Sequence, residues 1–277
     1  MKDLDYGKTI ENIRTSLKNY LVENKLKSMT LGVSGGIDSA LVAALAYPVA
    51  KELGIELIGR SITIESNKKS EIDRAEQIGT HFCTNFKEVN LTDEYLVLKK
   101  IDDVEGKSIN NIAYKIRMGN IKARMRMIYL YNLASKTSGI VLGTENKTEE
   151  NLAFFTLHGD EASDIETVKE LWKTQIYEMS EYIASTLSTE QGKALIDCVN
   201  CDATDGLGIS NTDLDQILPD WKERHNNTKD GYKEVDQIFI DYFNNKNSEK
   251  LENSPVIQRY KRTHFKRNHP VVFHLDC

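Results

Sequence analysis

Gly32-Val33-Ser34-Gly35-Gly36-Ile37-Asp38-Ser39 is the stretch of this chain whose residue types and spacing bear most directly on chemistry. Its glycines let the backbone approach a ligand closely and turn N–H groups toward it. Ser34 and Ser39 add hydroxyl donors, and Asp38 is the kind of hard oxygen ligand that Mg²⁺ takes when it accompanies pyrophosphate. The string therefore suits the holding of a nucleotide's phosphates. The plainer reading is a glycine turn between strand and helix, with Asp38 as a capping residue. The string is neither G-x-x-x-x-G-K-[S/T] nor G-x-G-x-x-G, which sets aside the P-loop and dinucleotide fingerprints.

Such a loop binds anions best where a strand hands over to a helix, because free N–H groups and the helix dipole meet there. The flanking residues supply both elements. Residues 29–33 read as a short buried strand and 40–53 as an apolar helix. The nearly apolar run 40–50 contains Pro48 and falls well short of the roughly 20 residues of a membrane span. Upstream, Ile10, Ile13, Leu17 and Leu21 recur at helical spacing and predict an amphipathic helix over 8–25. Downstream, strand 55–64, helix 70–82 and strand 86–91 continue the alternation, so the expected fold class is α/β with a parallel sheet and helical crossovers.

Residues 120–134 form a helix apolar on more than one side, through Ile121, Met125, Ile128, Leu130 and Leu133, so that one face is available to a second subunit. A strand over 139–143 ends at the Gly143-Thr144 corner. Val168, Leu171, Trp172, Ile176, Met179 and Ile183 then mark another amphipathic helix, after a polar loop. Residues 226–254 are rich in Asn, Lys and Asp around one apolar stretch, 238–243, and read as a surface appendage. The whole, 1–277, is expected to be a single domain.

Composition narrows the partners. With 36 Lys and Arg against 42 Asp and Glu, the net charge of −6 argues against broad nucleic-acid binding. Apolar residues at 40% and charged ones at 28% are those of an ordinary globular chain with no membrane span. The N-terminus has no secretory or transit character, which predicts a cytoplasmic protein. Cysteines at 83, 198, 201 and 277 make no disulfide framework, and Cys198-x-x-Cys201 supplies only two ligands, so both are read as structural.

The loop resembles the SGGxDS loop of ATP pyrophosphatases, which implies that a substrate oxygen attacks the α-phosphorus of ATP and pyrophosphate leaves. Four further stretches resemble ammonia-dependent NAD synthetases. Gly119-Asn120-Ile121-Lys122-Ala123-Arg124-Met125-Arg126-Met127 is similar to their GN-x-x-A-R-x-R-M helix, and Gly143-Thr144 with Glu149 to their G-T-x-x-x-x-E. Phe154-Phe155-Thr156 with Gly159-Asp160 and Asp164 is similar to F-F-T-x-x-G-D-x-x-x-D, and Lys173-Thr174-Gln175 to K-x-Q. The resemblance runs from about Leu31 to Leu207 and implies an adenine nucleotide alpha hydrolase-like fold, a parallel sheet with helices on both faces.

By position, the resemblance places Gly32, Val33, Ser34, Gly35, Gly36, Ile37, Asp38, Ser39, Thr144, Lys173 and Thr204 on ATP, with Asp38 and Lys173 catalytic. It places Asp38 and Glu149 on Mg²⁺, and Arg124, Asp164 and Lys266 on deamido-NAD. The implied reaction activates the nicotinate carboxylate as an AMP ester, which ammonia then displaces, in a homodimer. In 277 residues there is no room for a glutaminase beside this core, so free ammonia is the expected donor.

Departures from the pattern are Leu157, where Lys is frequent, Phe265 in place of His with His264 one position earlier, and Thr63 where an arginine is usual. Two other readings stay open. The cysteine pair suggests a tRNA-thiolating ATP pyrophosphatase, and Leu157 with Phe265 an inactive nucleotide-binding scaffold. Plainer roles also remain for single residues: Arg124 and Arg126 as solvated or paired charges, Asp160 and Asp164 as loop caps, Glu149 as one of an exposed pair, and Lys266 as tail charge.

Overall fold

Short runs of β-branched and aliphatic residues, each followed by an amphipathic stretch, become the strands and crossovers of one parallel sheet. The computed structural model describes residues 4–65, 67–102, 112–204, 212–244, 249–267 and 270–273. In chain order the first elements are α1 (Tyr6–Glu23), β1 (Ser28–Gly32), α2 (Ile37–Leu53), β2 (Glu56–Thr63), α3 (Lys69–Phe82) and β3 (Asn85–Asn90). Then come α4 (Thr92–Asp102), α5 (Ile112–Lys136), β4 (Ile140–Gly143), α6 (Lys147–Leu152) and β5 (Ile165–Glu166). Behind these follow α7 (Lys173–Ser185), α8 (Thr189–Val199), α9 (Leu214–Ile217), α10 (Trp221–Arg224) and α11 (Thr228–Phe243), then α12 (Glu249–Glu252), α13 (Pro255–Arg262) and α14 (His264–Arg267).

The strand order is β3-β2-β1-β4-β5 and every pairing is parallel. Right-handed crossovers to either side of β1 put α2 and α3 on one face and α5 on the other, as the expected fold class requires. Central β1 has Met29, Thr30 and Leu31 fully buried, which is why it reads as a continuous rather than alternating run.

Helix α2 is apolar around most of its circumference because the sheet, α1, α3, α7 and α8 all surround it. Its Pro48 has no N–H to give the carbonyl one turn back, at Ala44. Arg14 of α1 donates to that oxygen at 3.2 Å, so the first helix caps a defect in the second. Ile10, Leu17 and Leu21 are the buried face of α1, as their spacing predicts, although the helix runs Tyr6–Glu23 rather than 8–25.

Several elements differ from expectation. Helix α5 starts at Ile112, a full eight residues before the predicted 120. Helix α7 starts at Lys173, so Val168, Leu171 and Trp172 are buried in the approach to the helix rather than on it. Helix α8, with Ala194, Leu195 and Cys198 buried, was not foreseen. The polar loop contains the two-residue edge strand β5. The segment 226–254 contains α11, which buries Tyr232, Val235, Asp236 and Phe239; Phe239 stacks on Trp172 with ring centroids 6.0 Å apart. That helix is part of the core cluster, because its apolar residues recur at helical spacing among the charges that made the segment look solvated.

Candidate active site

Chain order leaves β1 toward β2 on one side and β4 toward β5 on the other, so β1 and β4 are the neighbours where the winding reverses. In such sheets the crevice beyond the carboxyl ends of those two strands is where ligands bind. Here β1 runs into the Val33–Gly36 loop and β4 into Thr144, Glu145 and Asn146. The topology alone thus joins the first and third sequence motifs.

The loop is tied in shape before any ligand arrives. The Ser34 N–H donates to Ser39 Oγ at 3.2 Å, the Gly36 N–H to Ser34 Oγ at 3.2 Å, and Ser39 Oγ to the Gly36 carbonyl at 3.1 Å. Gly35 has φ +81°, and a Cβ there would lie 2.2 Å from the Glu71 carbonyl oxygen, so only glycine fits. Arg74 of α3 donates to the Gly35 carbonyl at 2.9 Å. Gly36 is extended at the N-cap of α2, with Asp38 in the first turn. Thr204 donates to Glu71 Oε1 at 3.1 Å, which brings the far end of the motif series to the same corner of α3; Leu207, where the resemblance ends, lies outside the described residues.

Lys173 is the centre of the charged constellation. Its side chain is only 2% exposed, and its Nζ lies 2.6 Å from Asp38 Oδ2 and 2.9 Å from Glu149 Oε1. Burial pulls this ammonium's pKa down, but Asp38 and then Glu149 outweigh it and hold it well above the ordinary value. Burial, then the Asp38 charge, pushes Glu149 up to about 7 against the pull of Lys173. Asn146 donates to Asp38 Oδ1 at 2.8 Å, while its own side-chain oxygen caps α6 by accepting from the Thr148 and Glu149 N–H groups at 3.0 Å. One asparagine therefore fixes both carboxylates at once.

A buried layer beneath holds Lys173 itself. Its N–H donates to Thr148 Oγ1 at 2.8 Å, Thr148 donates to Asp236 Oδ1 at 2.5 Å, and Asp236 Oδ2 accepts from the Thr174 N–H at 2.9 Å and the Thr174 hydroxyl. Burial pushes Asp236 up to about 6 although every one of these bonds favours its charged form. The Tyr232 ring faces Lys173 Nζ at 5.5 Å. None of Asn146, Thr148, Tyr232 or Asp236 was among the sequence candidates. Asn146 could have been found, since Asn followed three residues later by Glu is an N-terminal helix signal. Asp236 carries only the weak signal of an acid on an apolar helical face.

Asp38 and Glu149 meet on one cation, so a divalent ion in that place would find two hard oxygen donors. Among the described residues no group of three or more His, Cys, Asp or Glu could hold a metal. Two carboxylates are what Mg²⁺ ordinarily takes from protein when phosphates and water complete its octahedron, so the residues fit that ion.

The remaining candidates gather around one loop. Arg124, exposed on α5, donates from Nε to the Leu157 carbonyl at 3.0 Å. Lys266 donates to the carbonyls of Ala153, at 2.8 Å, and Phe155. Asp164 accepts from the Val141 N–H at 2.8 Å, and Asp160 caps the Thr156 N–H at 2.8 Å. Asn120 accepts from the Thr156 hydroxyl at 2.8 Å, and Arg126 donates to the Ile62 carbonyl at 3.0 Å. The second and fourth motifs thus meet through Asn120 and Thr156. Phe265, which stands where His is usual, is 64% exposed, and residues 268 and 269 after it lie outside the described residues.

A pre-shaped glycine loop at the switch point, beside a buried lysine between two carboxylates, defines an α/β protein with a charged crevice beyond β1 and β4. A sequence model described as NAD synthase matches residues 9–270, and on that match the chain belongs to the NAD synthase family. The NH(3)-dependent NAD(+) synthetase of Methanococcoides burtonii is 34% identical over 214 residues, 76% of each chain. That of Thermoplasma acidophilum is 28% identical over 270 residues, covering 96% of this chain and 97% of the relative. A solved structure described as NMN synthetase from Francisella tularensis superimposes with a TM-score of 0.78 at 22% identity, covering 99% of this chain and 100% of the other, a likeness of fold. The chain is accordingly a ligase of the ammonia-dependent NAD synthetase kind.

Proposed function

We propose that the Lys173 constellation, set against the Ser34–Ser39 loop, carries out ATP-dependent amidation of deamido-NAD. The loop N–H groups and hydroxyls of Ser34 and Ser39 take the ATP phosphates, with Thr144 and Thr204 at the edges of the same crevice. Mg²⁺, when bound, is held by Asp38 and Glu149 and neutralises phosphate charge. The nicotinate carboxylate, already ionised, attacks the α-phosphorus; pyrophosphate leaves and an AMP ester remains. Lys173 offsets the charge that builds on the phosphates during that displacement. Ammonia then attacks the ester carbonyl, AMP leaves, and one proton is lost to form the amide.

Arg124 contributes to the deamido-NAD site, and Asp164 and Lys266 hold its wall by binding the backbone at Val141 and over 153–155. Leu157 removes one cation from that wall, so recognition of the dinucleotide rests more heavily on Arg124 and Lys266. The chain acts as one catalytic domain and as a homodimer through α5, where Ile112 and Ile128 are each 61% exposed. A cytoplasmic setting agrees with unpaired Cys83, Cys198 and Cys201; among the described residues no helix is long and apolar enough to cross a membrane.

The observation that carries this reading is the convergence of Asp38 and Glu149 on buried Lys173. Its test incubates the protein with ATP, Mg²⁺ and ammonium, with deamido-NAD or nicotinate mononucleotide as acceptor. Equal yields of NAD and pyrophosphate from the dinucleotide support it. Amide formed only from the mononucleotide would replace the acceptor, and pyrophosphate without either amide would refute the amidation.

A further inference from the structure

Arg74, on α3, has no part in the reaction above, yet it is bound to the loop at the centre of it. Its Nε donates to the Gly35 carbonyl at 2.9 Å. Among the described residues that is its one hydrogen bond, and no carboxylate lies within ion-pair distance of it. A guanidinium has five N–H donors and always carries its charge, so a half-buried one held by a single carbonyl is far from neutralised. The thiols near it do not balance it: burial holds Cys198 at about 12 and raises Cys201 as well, against the pull of Arg74, so both stay neutral. Lys173, by contrast, faces two carboxylates, Asp38 and Glu149.

The hydrogen bonds of the loop lead from that charge to its open side. The carbonyl and the N–H of one trans peptide point in opposite directions. With the Gly35 carbonyl turned back to Arg74, the Gly36 N–H faces away from it and donates to Ser34 Oγ at 3.2 Å. Ser39, buried, accepts from the Ser34 N–H and gives its single hydroxyl hydrogen to the Gly36 carbonyl at 3.1 Å. Ser34 is exposed, and among the described residues its own hydrogen has no acceptor but Ser39 Oγ, 3.1 Å away. Gly35 lies against the α3 backbone, where a Cβ would come within 3.1 Å of the Ala75 nitrogen, so the helix that carries Arg74 is packed directly on the loop.

We infer that Arg74 is a positioning residue for the phosphates of ATP, acting through the 35–36 peptide and the Ser34 hydroxyl. The inference rests on the reading of this loop as the ATP site and names the charge that stands behind it. A charge-assisted bond to the Gly35 carbonyl draws electron density through the peptide and makes the Gly36 N–H a stronger donor. Ser34, accepting that bond, becomes in turn a stronger donor to a phosphate oxygen. No covalent bond breaks and no proton moves along the chain. The same contact holds the peptide where Gly35 needs its φ of +81°. Arg74 itself touches no reacting atom, because the loop backbone lies between it and the Ser34 hydroxyl.

The test measures Kd for ATP and for inorganic pyrophosphate by calorimetry, and KM for deamido-NAD and ammonium, in wild type, Arg74→Met, Arg74→Lys, Ser34→Ala and the double variant of Arg74→Met with Ser34→Ala. Arg74→Met is expected to weaken ATP and pyrophosphate alike by about tenfold, the worth of one charge-assisted hydrogen bond, with the other two KM values unchanged. Arg74→Lys, which keeps a charged donor, should recover most of that loss. In the Ser34→Ala background, where the chain of bonds is cut, adding Arg74→Met should cost less than about threefold. Lys69→Met, which removes an exposed charge from the same helix, should bind ATP as wild type does. Unchanged ATP affinity in folded Arg74→Met, a lysine variant as weak as the methionine one, a full tenfold loss in the Ser34→Ala background, or an equal loss in Lys69→Met would overturn the inference alone. Wild type that binds neither ATP nor pyrophosphate would overturn the reading of the loop and this inference with it.

Discussion

Replacing Lys173 by Met separates what the buried ammonium does for the fold from what it does for the reaction. The substitution keeps most of the side chain's volume and removes the charge that both Asp38 and Glu149 face. With Lys173 present, Glu149 already titrates near about 7 because burial and Asp38 outweigh the lysine. Without it, Glu149 is pushed higher still. A carboxyl whose folded pKa exceeds its unfolded value binds protons more tightly in the native state, so native stability falls as pH rises between the two values. The variant must therefore be penalised least in acid and most in mild alkali. Breaking a buried pair typically costs about 3–5 kcal/mol. Asp38 and Glu149 keep 17% and 20% of their side-chain exposure, which places the expected cost at the low end.

We expect a loss of about 3 kcal/mol near pH 8 and about 1 kcal/mol near pH 5.5, where Glu149 is protonated. For a chain of this size the larger figure lowers Tm by about 6–12 °C. Thermal unfolding at the two pH values reads the difference. Pyrophosphate release, measured well below either Tm, should fall by at least about 10³-fold, the scale on which one preorganised electrostatic contact acts. A loss of stability equal at both pH values, or greater in acid, would refute the pairing argument. A folded variant with full pyrophosphate release would remove Lys173 from the mechanism.

Other substitutions test other parts of the site. Gly35→Ala forces a Cβ against the Glu71 carbonyl at positive φ, and should weaken ATP binding while costing about 1–3 kcal/mol, read by ATP titration and thermal unfolding. Asp236→Asn leaves one of the Thr148 and Thr174 donors without an acceptor, and should cost about 1–3 kcal/mol in urea unfolding, with pyrophosphate release lowered as Lys173 loses its support. Lys266→Met frees the carbonyls of Ala153 and Phe155, and should raise KM for the dinucleotide about tenfold while leaving KM for ATP unchanged, a split that steady-state kinetics shows directly. Ile128→Glu places a charge on the exposed face of α5 and should yield monomers by sedimentation if that face joins two copies.

Much of this protein was legible along the chain because the signals are local. The Ser34–Ser39 loop lies between a buried strand and an apolar helix, and alternating strand and helix periodicities imply a parallel sheet without further information. The spacing of Ile10, Leu17 and Leu21 correctly places α1. Resemblance of chained motifs was enough to propose Asp38, Glu149 and Lys173 as a set, and the fold brings those three within hydrogen-bonding distance.

What only the tertiary structure decided are relations between residues far apart in sequence. Helix α11 looked like a polar appendage because its charges dominate the composition, and its burial depends on Trp172 and α7 being present to receive Phe239. Asp236 becomes the acceptor beneath Lys173 only when α11 docks. Pro48 is tolerated because Arg14, from another helix, takes the carbonyl it leaves free. Glu166 is an ordinary surface residue type in the sequence; pairing of β4 with β5 lays its carboxylate over Gly143. Hydrophobic period and turn chemistry are properties of neighbouring residues, so the sequence shows them directly. Hydrogen-bond satisfaction and charge balance are properties of a three-dimensional neighbourhood, and they exist only once the chain has closed around them.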